Sequence, residues 1–141
     1  MKYSRFEDLP VWQAASDLAV RVFAFKEKTA LRRHRSLRDQ IERAALSVSN
    51  NVAEGFERGT TPELLTFLYI ARGSAGEVRS MLYVMEQIPA FGDLKSEISN
   101  LKSLAAKIAS HCEATMRNKA GSPHPDAFLT TRQADPAAPR V

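Results

Sequence analysis

The 141-residue sequence has little of what several protein classes require. Its one cysteine, Cys112, has no partner for a disulfide within the chain, which excludes a disulfide-stapled secreted scaffold. No apolar run approaches the roughly 20 residues that span a bilayer, so no contact with a membrane is expected. The first residues, MKYSRFEDLP, lack the apolar stretch of a signal peptide. Together these absences predict a cytoplasmic protein.

Motifs for metal, nucleotide or nucleophile chemistry are also missing. His111 and Cys112 are adjacent, so on a helix they point about 100° apart and cannot close on one ion. No glycine-rich phosphate loop occurs, and Gly73 and Gly76 lie inside a helical period. Cys112 falls on an apolar helical seam, where a small buried thiol is the favoured interpretation. We therefore expect a protein without enzymatic activity, metal or cofactor.

Prolines and glycines divide the chain into four long segments and a tail. In each long segment the apolar residues recur at steps of three and four, which indicates one face of a helix. In the fourth segment these steps alternate as in a coiled-coil seam that includes Cys112. The predicted helices cover residues 9–28, 37–58, 62–87 and 94–118. The predicted start signals are Asp8, Ser36, Thr61 and Asp93.

The arrangement of these helices follows from the short connections between them. No stretch alternates apolar and polar residues over a useful length, so no strand is predicted. Connections of a few residues make neighbouring helices antiparallel, which predicts an all-α, up-down-up-down four-helix bundle over residues 1–118. Residues 119–141 contain four of the seven prolines and have no helical period. This composition predicts a disordered, flexible C-terminal tail.

The net charge of +4 is concentrated in one segment. Between positions 26 and 38 one acid, Glu27, accompanies six basic residues: Lys26, Lys28, Arg32, Arg33, Arg35 and Arg38. This local +5 predicts a basic loop that binds RNA or DNA phosphate without reading sequence, since the segment has no Phe, Tyr or Trp to stack on bases. The alternative is a solvated loop that keeps the bundle soluble.

Two polar features stand beside the apolar faces of the second and third helices. Ser47 and Asn51 are indifferent helix formers, which indicates compensation from elsewhere. At the centre of the third helix, Gly73 and Gly76 permit close backbone approach at a cost of roughly 1 kcal/mol each relative to alanine.

We expect charged residues beside these features to form a hydrogen-bonded network, either between helices or across a subunit boundary. Its members are Arg43, Glu54, Arg72 and Glu77. Independent solvated charges are the alternative. These surfaces also favour a second function, that of a protein-interaction module, in which exposed aromatic residues such as Trp12 and Tyr69 would anchor a partner. A tryptophan such as Trp12 is nonetheless more often buried in the core than exposed at an interface.

Two stretches of the chain resemble a known family. They read QIERAALSVSNNVAEGFER, from Gln40 to Arg58, and FLYIARGSAGEVRSML, from Phe67 to Leu82. Together with the opening FEDLPVWQAASDLA, they resemble the bacterial four-helix-bundle proteins encoded in intervening sequences of 23S ribosomal RNA genes. The resemblance implies a homopentameric ring without known catalytic activity and a link to nucleic acid. A related branch of similar fold is the accessory protein of diversity-generating retroelements, which binds RNA and a reverse transcriptase.

The resemblance also selects signature positions. Those in the first motif are Arg43, Ser47, Asn51, Glu54 and Gly55, and those in the second are Gly73, Ser74 and Glu77, with Arg72 beside it as a further candidate interface residue. This chain departs from the family where a Tyr-Gly pair usually precedes the second helix, since it has His34-Arg35-Ser36 there. The basic excess of this segment is therefore not implied by the resemblance.

Overall fold

Five helices account for most of residues 3–120, the part of the chain that the computed structural model describes. They are α1 (Pro10–Phe25), α2 (Thr29–Arg33), α3 (Arg35–Glu57), α4 (Thr61–Glu86) and α5 (Lys95–Ala120), with 3-10 segments at Phe6–Asp8 and Pro89–Leu94. These residues contain no strand, so the predicted all-α class is confirmed. The predicted tail begins at 119, but α5 includes residues 119 and 120, and the rest of that tail lies outside the described residues.

The four long helices enclose one apolar core. Helix α1 packs against α3 and α5, and α4 packs against the same two helices from the other side. The Ser47 and Ser74 hydroxyls are hydrogen-bonded, and Gly55 lies against Phe67, so α3 and α4 run antiparallel. Contacts of Arg72 with Glu113 and of Glu86 with Lys102 show the same for α4 and α5. The complete up-down-up-down order stays a prediction.

The predicted seam of α5 is confirmed by its burial. Five of its members are fully or almost fully buried, namely Ile98, Leu101, Ala105, Ile108 and Cys112. The steps of four and three keep these residues on one side of the helix, where they meet the core. Among the described residues, no helix has both the length and the hydropathy to cross a membrane.

Three of the four predicted start signals are wrong, namely Asp8, Ser36 and Asp93. Asp8 closes a 3-10 turn, and the residue before α1 is Leu9. Pro10 then begins α1, because its missing N–H would have no partner in the first turn. Ser36 lies inside the first turn of α3, where its hydroxyl accepts a hydrogen bond from the Gln40 side chain.

The other two start signals lie close to helix ends. Asp93 belongs to the 3-10 segment Pro89–Leu94, and α5 begins two residues later. At α4 the cap is Thr60, one residue before the predicted start. The Thr60 hydroxyl accepts a hydrogen bond from the Glu63 N–H at 3.4 Å, and its O–H donates to the Glu63 carboxylate at 2.7 Å.

Helix α2 lies wholly within the connection predicted between the first two helices, residues 29–36, and the first predicted helix extends three residues past the end of α1. Helix α1 ends at Phe25, and α2 then forms because Leu31 is completely buried against the core. Helix α2 packs against α3 and against the 3-10 segment Pro89–Leu94. Arg32 and Arg33 therefore project from a short helix fixed to the core, and not from a loop.

Candidate functional site

The six basic residues predicted to bind phosphate lie at one end of the bundle. Lys26 and Lys28 follow the end of α1, while Arg32 and Arg33 form the last turn of α2. Arg35 and Arg38 lie in the first turns of α3. The structure thus brings all six to one end, but it divides them between the connection after α1, helix α2 and the start of α3.

Both lysines have acidic neighbours from other elements. The Lys26 ammonium lies 3.4 Å from the Glu42 carboxylate and 4.3 Å from the centroid of the Phe23 ring. The Lys28 ammonium lies 3.4 Å from the Glu97 carboxylate of α5. These ion pairs reduce the positive charge that the lysines present to solvent.

Asp39 serves both arginines of α3. Its two carboxylate oxygens lie 3.7 Å from Arg35 Nε and 3.5 Å from Arg38 Nε. When Asp39, Glu42 and Glu97 are counted with the segment, the local charge falls from +5 to +2. The sequence prediction therefore overstates the charge of this surface.

Arg32 and Arg33 are the two basic residues of this set whose charge is not offset by an ion pair with an acidic side chain among the described residues. Both are exposed, and neither has an ion pair within residues 3–120. Leu31 anchors their helix in the core, and the His34 ring packs on Phe91 with 5.7 Å between centroids. The two guanidinium groups are therefore presented to solvent from a fixed backbone.

A surface hollow lies beside Arg33, one of these two arginines. Lys28 and Arg33 line it, and so does Asp93. A phosphate inside the hollow would face the Asp93 carboxylate as well as the two cations. The arrangement therefore favours contact with the exposed outer side of α2 over binding inside the hollow.

A polar joint connects α3 and α4 at the predicted signature positions. The hydroxyls of Ser47 and Ser74 are 2.8 Å apart. The Asn51 amide donates to the Ser47 carbonyl oxygen at 2.7 Å and to the Ser47 hydroxyl oxygen at 2.9 Å. These hydrogen bonds offset the low helix propensity of Ser47 and Asn51.

Gly55 explains a second part of the signature. A Cβ placed on it would lie 2.6 Å from Phe67 Cβ and 3.3 Å from Leu64 Cα. Since real Cβ atoms do not approach this closely, only glycine lets α3 and α4 meet here. Gly55 and the pair of Ser47 and Ser74 thus pack the two helices together, while Asn51 holds the Ser47 hydroxyl from within α3.

The predicted charge network does not form between the helices of one chain. Glu54 pairs with Arg58 at 2.9 Å, and Arg72 pairs with Glu113 at 3.5 Å. Arg43 and Glu77 are exposed and have no ion pair among the described residues. The prediction of a network within the chain is therefore wrong, because the register places Arg72 toward α5. The form across a subunit boundary stays a prediction.

Exposed apolar side chains form a surface that sequence reasoning missed except for Tyr69. The outer side of α4 carries Tyr69, Ile70, Tyr83 and Val84, which are 47–63% exposed. Trp12, the other predicted anchor, is half-buried and packs edge-on against Phe6 with centroids 5.3 Å apart. A signal was present, since these α4 residues fall outside the apolar face that faces the core.

Cys112 is a buried structural thiol. Removal from water raises its pKa from 9.0 to about 11, while the nearby Arg72 charge acts in the opposite direction and Glu113 raises the pKa further. The thiolate form is therefore not available near neutral pH. Within residues 3–120, no group of three His, Cys, Asp or Glu side chains is placed to hold a metal ion.

These features define a helical-bundle protein whose second and third long helices are joined by serine, asparagine and glycine. Residues 7–113 match the model of the family described as 23S rRNA-intervening sequence protein. The chain belongs to that family, as the resemblance predicted, while the relation to the retroelement branch stays a prediction. A search of the curated proteins found no match.

Proposed function

We propose that the protein is a non-enzymatic homo-oligomer that binds the phosphates of RNA or DNA through Arg32 and Arg33. The observation that carries the proposal is their exposure without an ion pair among the described residues, on a helix anchored by Leu31. Lysine and arginine side chains that neutralise phosphates release condensed counterions, which gives binding that does not depend on sequence. Cytoplasm is the proposed compartment.

Oligomerisation matters for this function because each subunit offers few uncompensated charges. Two arginines alone give weak binding, but several copies on one assembly bind with avidity. The family resemblance supports a ring of five subunits. In such a ring, each α2 helix would contribute the same pair of guanidinium groups to one rim.

The test is binding of a labelled RNA of about 20 nucleotides and of a DNA duplex of similar length, measured by fluorescence anisotropy at about 100 mM salt. In the variant R32E/R33E we expect affinity for both probes to fall roughly tenfold or more. The matched control is R5E/R117E, which makes the same charge change near the start of α1 and the end of α5.

The control separates a local site from the effect of net charge. Binding by R5E/R117E is expected to stay within about threefold of the wild type, a difference below 1 kcal/mol. Equal losses in both variants, or unchanged binding by R32E/R33E, would overturn the proposal.

A second candidate function is a protein-interaction module without a nucleic-acid role. The exposed apolar residues of α4 favour it, since contiguous apolar surface marks interaction sites. A wild-type chain that is oligomeric but binds neither probe at about 50 mM salt would support this second function against the first.

A further inference from the structure

Large apolar side chains on the surface are unevenly distributed. Within residues 3–120, five of the six exposed large hydrophobic residues lie on α3 and α4, and the sixth, Val20, lies on α1. The five are Leu46, Tyr69, Ile70, Tyr83 and Val84. Single exposed apolar residues are ordinary, but a group of this kind indicates a surface that is covered in the assembled protein.

The spacing on α4 places these residues in two matching clusters. Tyr69 and Tyr83 are 14 residues apart, and so are Ile70 and Val84. Fourteen residues make nearly four helical turns, so both pairs face the same side, with about 21 Å between the clusters. One cluster thus lies toward each end of the helix.

The surface between the two clusters is open. Gly73 and Gly76 lie there, and a Cβ placed on either would meet no atom within 4 Å. Each glycine lowers the stability of the helix relative to alanine, and nothing inside the subunit requires it. The missing side chains leave the backbone of α4 open at this place, so another helix has room to approach closely.

Two opposite charges lie at about the level of Gly76 without pairing with each other. The bond between Ser47 and Ser74 sets the register of α3 and α4. Arg43 lies one turn before Ser47 and Glu77 lies nearly one turn after Ser74, so antiparallel packing places them at the same level. Both are exposed, and neither forms an ion pair within the described part of the chain.

We infer that the outer surface of α3 and α4 is the place where a second copy of this chain packs, with Arg43 of one copy opposite Glu77 of its neighbour. The occupant is a second copy because the chain itself carries both members of the charge pair next to one apolar surface. This inference rests on the homo-oligomer proposed above and adds that its subunits meet with α3 of one copy against α4 of the next, since a closed ring needs two different surfaces on each subunit. It also places the predicted network across the boundary between subunits.

The energetics agree with this assignment. Aromatic residues such as Tyr69 and Tyr83 are common anchors of interfaces, because they bury a large area at a small cost in side-chain entropy. A charge pair such as Arg43 with Glu77 adds specificity, since like charges in the same position repel each other. The surface thus combines apolar contact with a means of selecting its partner.

The first test measures mass in solution by light scattering after gel filtration. The variant Ile70→Glu is expected to be a folded monomer where the wild type is an oligomer. Val20→Glu is the matched control, because it places the same charge on an exposed apolar residue of α1 and is expected to keep the wild-type mass. Helical content by circular dichroism confirms that each variant is folded.

The second test reverses the charges. R43E and E77R each place like charges opposite one another, and each is expected to weaken association at least tenfold. The double variant R43E/E77R restores opposite charges and is expected to return to within about threefold of the wild type. A double variant as weak as the single ones would overturn the pairing.

Failure of this inference can be told from failure of the proposed function. If Ile70→Glu keeps the wild-type oligomeric mass, the surface is wrong while the homo-oligomer stands. If the wild type itself is a monomer at micromolar concentration, the homo-oligomer and this interface are both overturned. A monomeric wild type that binds another protein through Ile70 would identify a different partner for the surface and would also overturn the inference.

Discussion

Gly55 of α3 and Phe67 of α4 lie so close that a methyl group on Gly55 would stand 2.6 Å from Phe67 Cβ. The neighbouring atoms are Phe67 Cβ and Cγ and Leu64 Cα, none of which belongs to the far end of a flexible side chain. The contact therefore cannot be relieved by a rotamer change. It determines how closely the two helices pack.

Replacing Gly55 by alanine is expected to destabilise the protein by roughly 1–3 kcal/mol, because the helices must move apart. The same change at Gly76, where a Cβ meets no atom within 4 Å, is expected to stabilise the helix by about 1 kcal/mol. Urea unfolding at two protein concentrations checks both values and removes any contribution from association. Equal effects at the two glycines would contradict the close approach at Gly55.

The hydrogen bond between Ser47 and Ser74 predicts an energetic coupling between these two residues. No such coupling is expected between Glu54 and Arg72 of the same helices. A double-mutant cycle with Ser47→Ala and Ser74→Ala is expected to give a coupling of roughly 0.5–1.5 kcal/mol, since their hydroxyls are 2.8 Å apart. The matching cycle with Glu54→Ala and Arg72→Ala is expected to give about zero. Glu54 pairs with Arg58 and Arg72 with Glu113, so these two residues share no contact.

Substantial coupling between Glu54 and Arg72 in a monomeric variant would contradict the geometry of the chain. Coupling that appears only in the oligomer would indicate instead that the two residues meet across a subunit boundary. The cycles are therefore measured in both states, with Ile70→Glu supplying the monomer.

Helix periodicity was predictable because it reflects the core that each helix must face. The seam of α5, with Ile98 and Ile108 fully buried, follows directly from its steps of four and three. Helix starts were less predictable. Asp8 and Asp93 are good capping residues, but each lies in a 3-10 segment whose position depends on contacts made elsewhere in the fold.

Charge was predictable from the sequence, but charge compensation was not. Lys28 pairs with Glu97, which lies on the last helix, and Lys26 pairs with Glu42 of α3. Such contacts depend on the packing of distant segments. Helix α2 could not be predicted for the same reason, because this short helix is stable only when Leu31 is buried against other elements.

The salt dependence of nucleic-acid binding is expected to identify which cations touch phosphate. Removing one phosphate contact lowers the magnitude of the slope of log K against log salt by about one. Each of the variants Arg32→Ala and Arg33→Ala is expected to lower the magnitude of the slope by this amount for every subunit that contacts the probe. Lys26→Gln is the control, because Lys26 is partly buried and paired with Glu42, and its slope is expected to match the wild type. A larger change for Lys26→Gln than for Arg32→Ala would contradict the assignment.

Cys112 predicts a loss of stability at alkaline pH. Burial raises the pKa of its thiol from 9.0 to about 11, so the unfolded chain releases this proton at lower pH than the folded chain. The contribution is fully present below about pH 9 and is lost as pH rises from there toward 11. Lysine and tyrosine residues titrate over the same range, so the measurement compares the wild type with Cys112→Ala. Between about pH 8 and pH 10.5, the wild type is expected to lose on the order of 1–2 kcal/mol more unfolding free energy than the variant. An equal loss in both proteins would show that the thiol ionises as readily in the folded core as in the unfolded chain.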